Sequence, residues 1–381
     1  MRRFLIVSAA LCVGQAVLPA QAPPVSQTPP VIPFESQTDF FKVTPDMNFG
    51  EVLSVAVNSK GHVVVLNHPG SATTGPIYGN ATTQLLEFDA TGKFVREIGK
   101  GVYGIAYSHS VRFDKYDNLW VVDKATNAVI KFNPAGYVTL NLGRRPEGYD
   151  SYAGEYERPK PPDAKAADGM FNGATDVGWD GQDNIYVSDG YVNSRIAKFD
   201  KNGNWIKTWG AYGESGVHAN ENPGHFRTPH NMQVDRQGNV FVADRGNRRI
   251  QVFDSDGKFL RFIHLTAPYD KKRHPVIGNP LANPPDETAP WALCITTNGP
   301  TQYMFATDQE PGRIYKMTLD GKILGMFGES GRGEKQFNWV HGLACPTEND
   351  LFVADMNNWR VQRISLKPGA GKSISSAERK E

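Results

Sequence analysis

Six times between residues 53 and 365 the chain repeats one short pattern. It consists of an apolar strand, a tight turn of the Asp-x-x-Gly-Asn type, a second strand ending in Asp, an Asn-x-Arg turn and a third strand. The clearest copy, "HNMQVDRQGNVFVADRGNRRIQVFDSDGKFL", begins at His230; others begin at His109, Thr175 and His341, and two degraded copies begin at Leu53 and Trp291. The starts are 56, 66, 55, 61 and 50 residues apart. No single unit of this kind can bury both of its faces, so neighbours must stack and share a core, which restricts the fold more than any bulk property does.

Within a unit, residues alternate with period two, as Ile185 and Val187 do against Tyr186 and Ser188, and the turns are short and rich in Gly, Asn and Asp. That pattern specifies four-stranded antiparallel meanders rather than helices. Six such sheets stacked radially close into an all-β, six-bladed β-propeller over residues 45–367, and closure removes the exposed edges that an open sheet would have. The last repeat shows strands only near 341–345, 350–355 and 359–365 before a polar tail at 368–381, so its outer strand must come from elsewhere. Within residues 23–44, the run Phe40–Val43 is the expected donor, preceded by a flexible Pro-rich lead at 22–33.

The 41 basic and 40 acidic residues leave a formal charge of +1, which provides no electrostatic reason to bind nucleic acid or an anionic membrane. A small molecule or a peptide fits better as ligand, and the chain reads as a monomer. Residues 1–22 have the form of a secretory signal: Arg2 and Arg3, an apolar stretch from Phe4 to Val17, then Ala20-Gln21-Ala22. The expected product is secreted or periplasmic, with no membrane attachment after the signal is removed. Removing it also takes Cys12, leaving Cys294 and Cys345, too few for a disulfide framework or a cysteine metal motif. Both stand at apolar strands, so buried free thiols are expected, with one disulfide as the alternative.

In a propeller, the connections between blades and the turns between second and third strands lie at the end where each innermost strand begins. All the long inserts, Asn67–Ala81, Gly143–Gly173, Gly210–Pro229 and Thr266–Pro290, fall at that end, whereas the opposite end has tight turns only. Loops above about 12 residues in a compact fold are commonly functional, which marks this face as the binding face. The six repeat starts at the same end read Leu53, His109, Thr175, His230, Trp291 and His341. Histidine on every second blade of a six-fold ring places three imidazoles about 120° apart around the channel. Such a set suits zinc, with a fourth position left for water or substrate. Tyr191 and Arg245 lie in turns of the adjacent third and fourth blades at this end, in the roles of general base and anion clamp.

These are repeats of the kind known as NHL, and the chain resembles the peptidyl-α-hydroxyglycine α-amidating lyases. The resemblance runs through most of residues 45–365 and is most specific at "VSDGYVNSRIAKFDKNGNWIKTWG", at "GHFRTPHNMQVD" followed by "VADRGNRRIQ", and at "TDQEPGRIY". It implies a zinc site at His109, His230 and His341, a catalytic tyrosine at Tyr191 and an active-site arginine at Arg245. It further implies a channel calcium held by the backbone carbonyls of Val55 and Val111. The implied reaction cleaves an N-acyl-α-hydroxyglycine to an amide and glyoxylate. Departures are specific: a second substrate-binding arginine is replaced by His68 and Pro69, a methionine by Trp339, an acidic calcium ligand by Gly342, and a disulfide cysteine by Val192. These changes weaken the case for calcium and imply a substrate other than the usual amidated peptide. Two other readings share the fold: a metal-dependent hydrolase at the same site, and a non-catalytic propeller binding a peptide, glycan or protein on its loop-rich face.

Overall fold

The alternation within each strand has two buried destinations. Val64 and Leu66 enter the core between blades one and two, while Val63 and Val65 enter the core between blades six and one. Ile185 and Val187 likewise face blade two and Tyr186 faces blade four. Six such inter-blade cores follow one another around the ring, the last joining Phe352 and Val361 to Val52 and Val55. Both sheet faces are therefore apolar along the second strand, which is why those strands read as nearly continuous hydrophobic runs.

A computed structural model describes residues 27–70, 83–102, 104–143, 168–213, 222–269, 288–308 and 312–367. The expected signal at 1–22, the start of the lead and the tail at 368–381 lie outside the described residues. Six four-stranded antiparallel sheets form the propeller, with inner strands Glu51–Val57, Ser108–Phe113, Ala174–Trp179, Pro229–Val234, Pro290–Ile295 and Val340–Ala344. Start pairs with end in each first hairpin, as in Ser108 with Asp123, so the strands flanking every long insert terminate at one end of the channel. Among the described residues no helix is long and apolar enough to cross a membrane.

Three of the six blades carry a buried Asp–Arg pair identical in design: Asp189 with Arg195, Asp244 with Arg249 and Asp308 with Arg313, at 3.0, 3.0 and 2.9 Å. Blade six repeats it with Asp355 and Arg360 at 2.9 Å. In blades three, four and six the other carboxylate oxygen accepts a backbone N–H of the incoming inter-blade segment, from Asn172 to Asp189, from Arg227 to Asp244 and from Asn338 to Asp355, whereas in blade five that of Asp308 accepts from Arg313 N–H. The periodic Asp and Arg of the sequence thus tie each blade to the chain around it, and each Arg offsets part of the cost of burial, which still pushes the Asp189, Asp244 and Asp355 carboxyls above the usual range.

Two expectations are corrected. The sixth blade is closed by Phe34–Gln37, which pairs antiparallel with Arg360–Leu366 from Phe34↔Leu366 to Gln37↔Arg363, and not by Phe40–Val43. Ser36 Oγ donates to Gln362 Oε1 at 2.6 Å in the buried interior of that pairing. Phe40 and Phe41, consecutive and therefore unable to share one face of a strand, instead fill the seam between blades six and one. Phe41 meets Phe88 at 4.7 Å and Phe40 meets Phe352 at 5.7 Å. Cys294 and Cys345 are not free thiols but a disulfide, with Cα atoms 6.0 Å apart. Cys294 lies near the end of the inner strand of blade five and Cys345 just past the end of that of blade six, so the bridge joins neighbouring blades. A bridge across 51 residues stabilises by about 4 kcal/mol in the chain-entropy view.

A candidate metal centre at the channel mouth

Every inner strand breaks register at one residue near its start, and that residue is the repeat start. The shifts fall at Leu53, His109, Thr175, His230 and His341, and over Trp291 and Ala292 in blade five. A β-bulge re-aims one side chain out of the sheet pattern. Here it turns His109, His230 and His341 toward the axis, where their ring centroids are 4.7, 4.7 and 4.8 Å apart. All three are buried, and one nitrogen from each lies within 4.8 Å of the others.

The alternation also has a partner on the non-histidine blades. His109 Nδ1 donates to the Thr175 carbonyl at 2.7 Å, His230 Nδ1 to that of Trp291 at 3.0 Å, and His341 Nδ1 to that of Leu53 at 2.8 Å. Each acceptor is the bulge carbonyl of the next blade. With Nδ1 committed as donor, every Nε2 presents a lone pair to the centre. The Nε2 atoms of His109 and His230 stand 3.2 Å apart. Two lone pairs at that distance repel unless a cation lies between them, and the spacing matches the roughly 3.3 Å between nitrogens bound tetrahedrally at about 2.0–2.1 Å. The residues fit a metal of the zinc type.

Burial keeps these imidazoles neutral. Burial pushes His109 and His230 well below the usual imidazole range, aided for His109 by His341 and Lys124 and for His230 by Arg245. Burial likewise lowers His341, and the neighbouring His68, from 6.5 to about 3. An unfolded chain takes up these protons from about pH 6.5 downward, whereas the folded chain resists them until near 3. Their contribution is whole above pH 6.5 and is lost as pH falls through that window. His68 and His341 alone should destabilise the chelator-treated protein by about 4 kcal/mol between pH 7 and pH 5. Urea midpoints at the two pH values check this, and equal midpoints would mean that these imidazoles are solvated.

Tyr191 reaches the same centre. Its hydroxyl oxygen lies 3.2 Å from His109 Nε2 and its ring lies edge-on to His109 at 5.4 Å. Two glycines permit this: a Cβ on Gly173, at φ +76°, would sit 2.6 Å from Tyr191 Cβ, and one on Gly190 would sit 2.0 Å from the Pro229 carbonyl oxygen. Arg245 lies over the Trp291 ring at 4.0 Å and over that of Tyr191 at 5.9 Å. Trp291 in turn packs on His230 at 4.8 Å and on Trp339 at 4.9 Å, so Trp339 extends an apolar wall beside the histidines.

His68 is buried against Tyr107, with ring centroids 4.3 Å apart. The sequence reading missed Lys124, whose Nζ lies 4.4 Å from the centre of the Tyr191 ring. The signal was available, because Lys124 follows Asp123 at the place where Arg245 follows Asp244.

The implied calcium is a different matter. The Val111 carbonyl accepts from Ser54 Oγ at 3.5 Å, and Gly342 packs so tightly that a Cβ would come 2.7 Å from the Leu53 oxygen. Asp176 is engaged by Arg112 at 2.7 and 3.1 Å. Arg112 also donates to Asn231 and toward the Leu343 carbonyl, which puts a fixed positive charge among the inner strands. The channel residues do not fit calcium: the expected acidic ligand is absent at position 342, and Asp176 is already paired.

Residues 226–253 match the NHL repeat family. Over 309 residues the chain is 29% identical to peptidyl-glycine alpha-amidating monooxygenase A of Xenopus laevis, covering 80% of this chain and 29% of that protein. It is 26% identical over 341 residues to peptidyl-alpha-hydroxyglycine alpha-amidating lyase 1 of Drosophila melanogaster, covering 84% and 58% respectively. The chain therefore spans less than two thirds of the length of either relative. Among solved structures, a gluconolactonase from Xanthomonas campestris superposes with a TM-score of 0.56 at 12% identity, covering 92% of this chain and 99% of that one. That likeness supports the propeller fold alone.

Proposed function

We propose, from a chain similar to the amidating lyases over most of its length, a secreted zinc-dependent carbon–nitrogen lyase. Its substrate is an N-acyl-α-hydroxyglycine or a related carbinolamide, and its products are the amide and glyoxylate. The observation that carries this reading is the convergence of three Nε2 lone pairs, each fixed by a backbone carbonyl, with the Tyr191 hydroxyl 3.2 Å from one of them.

His109, His230 and His341 would hold the zinc. When bound, zinc supplies a Lewis acid that draws electron density from a substrate oxygen. Acting as the phenolate, Tyr191 Oη would receive the proton of the carbinol hydroxyl. The C–N electron pair passes to the amide nitrogen, which takes that same proton back from Tyr191 Oη, while the carbon becomes the aldehyde of glyoxylate. Arg245 steadies the negative charge that develops during this change, and its stacking on Trp291 limits its movement. The Trp291–Trp339 wall accommodates the acyl group. Export is part of the same reading; the N-terminal pattern supports it, as does a disulfide of the kind that persists in oxidising compartments.

Metal analysis of the purified protein, coupled to glyoxylate release from α-hydroxyhippurate, tests the proposal. One metal per chain and steady glyoxylate production are expected. A folded chain that binds zinc but releases no glyoxylate from any carbinolamide would return the fold to the role of a binding platform.

A further inference from the structure

We propose that Lys124 anchors the substrate carboxylate, making the site selective for anionic ligands. This rests on the lyase reading for the identity of the substrate, and on the following geometry for the site itself.

Lys124 follows the Asp that ends the second strand of blade two, Arg245 follows the equivalent Asp of blade four, and Tyr191 lies on the blade between them. Both cations overlie the Tyr191 ring, Lys124 Nζ at 4.4 Å and Arg245 Cζ at 5.9 Å. Lys124 is the nearer, since Arg245 leans onto Trp291 at 4.0 Å. The Lys124 backbone N–H donates to the Tyr107 carbonyl at 3.1 Å and its ammonium lies 5.1 Å from the Tyr107 ring, which fixes the side chain at both ends.

The surroundings of this ammonium are unusual for the molecule. Lys198 and Lys316, both buried, have carboxylate partners in Asp256 at 3.5 Å and Glu348 at 2.8 Å. Half-buried Lys124 has no carboxylate partner among the described residues. Its neighbour Asp123 instead accepts from Ala106 N–H and Ser108 Oγ at 2.8 and 2.9 Å, and from the Thr126 N–H at 2.8 Å. At the matching place in blade one stands His68, its ring packed on Tyr107. A partly desolvated cation that faces aromatic rings and no carboxylate partner favours an incoming anion. A carboxylate gripped by Lys124 would set the adjoining carbinol carbon beside Tyr191 Oη, and Arg245 would remain for the charge that develops later.

The test uses the metal-loaded full-length mature protein with hippurate and its uncharged isostere hippuramide as calorimetric probes, and α-hydroxyhippurate as substrate. Wild type should bind hippurate more tightly than hippuramide. Lys124→Gln should raise the hippurate Kd about tenfold or more and leave that of hippuramide nearly unchanged. Lys124→Arg should recover most of the preference, and Lys124→Met serves if the glutamine variant misfolds. Equal hippurate affinity in wild type and a folded, uncharged variant overturns the proposal, as does a wild type with no preference for the anion. If α-hydroxyhippurate is not turned over but the anion preference still depends on Lys124, the lyase reading fails and the anion site stands.

Discussion

Replacing His230 with alanine will remove stoichiometric metal and lower glyoxylate release by more than about a thousandfold. The size of the effect follows from how the three histidines are held. Each imidazole is oriented by a backbone carbonyl that no side-chain substitution can delete, so the two remaining histidines keep their aim but can offer a metal only two nitrogens. Nothing else nearby replaces the third: among the described residues this is the one cluster of three or more His, Cys, Asp or Glu with converging ligand atoms. His109→Ala and His341→Ala should behave alike, because the triangle is nearly equilateral. Zinc content by mass spectrometry under native conditions and the glyoxylate assay give independent readouts. A His230→Ala protein with one tightly held metal and undiminished turnover would place the active centre elsewhere.

The histidines were legible in the sequence because a six-fold repeat converts a position in the alignment into a position in space. The bulge that aims them was not legible, since an extra residue in one strand leaves no mark on a pattern of apolar alternation. The carbonyl acceptors were equally hidden, being backbone atoms of Leu53, Thr175 and Trp291 whose side chains differ completely. Ring closure was foreseen and its strand misplaced: Phe40 and Phe41 attract attention by hydrophobicity, but two adjacent large rings suit a seam better than a strand with two faces. The disulfide stood only as the alternative to free thiols, because two cysteines 51 residues apart carry no sign that they end neighbouring inner strands. Lys124 escaped for a different reason. Its place after Asp123 matches that of Arg245 after Asp244, but this positional mark gains meaning only when its neighbours are seen to be aromatic rings rather than carboxylates.

Tyr191→Phe separates binding from catalysis at this site. The substitution removes one oxygen and nothing else: the ring can keep its edge contact with His109 at 5.4 Å and its place over Gly173 and Gly190, and the metal nitrogens are untouched. Metal content and thermal stability should therefore match wild type, while kcat for α-hydroxyhippurate falls by about a hundredfold to ten-thousandfold, the usual contribution of a positioned general base. Affinity for hippurate, which lacks the carbinol hydroxyl, should change little, because Lys124 and Arg245 still face the anion. Gly173→Ala supplies the contrasting case. Its Cβ would come within 2.6 Å of Tyr191 Cβ at a backbone φ of +76°, so it should displace the whole side chain and weaken both turnover and fold. Retention of activity in Tyr191→Phe to within a factor of about two would exclude Tyr191 as the base. The proton would then have to leave through another group at the mouth, while the case for the histidines as metal ligands would be unaffected.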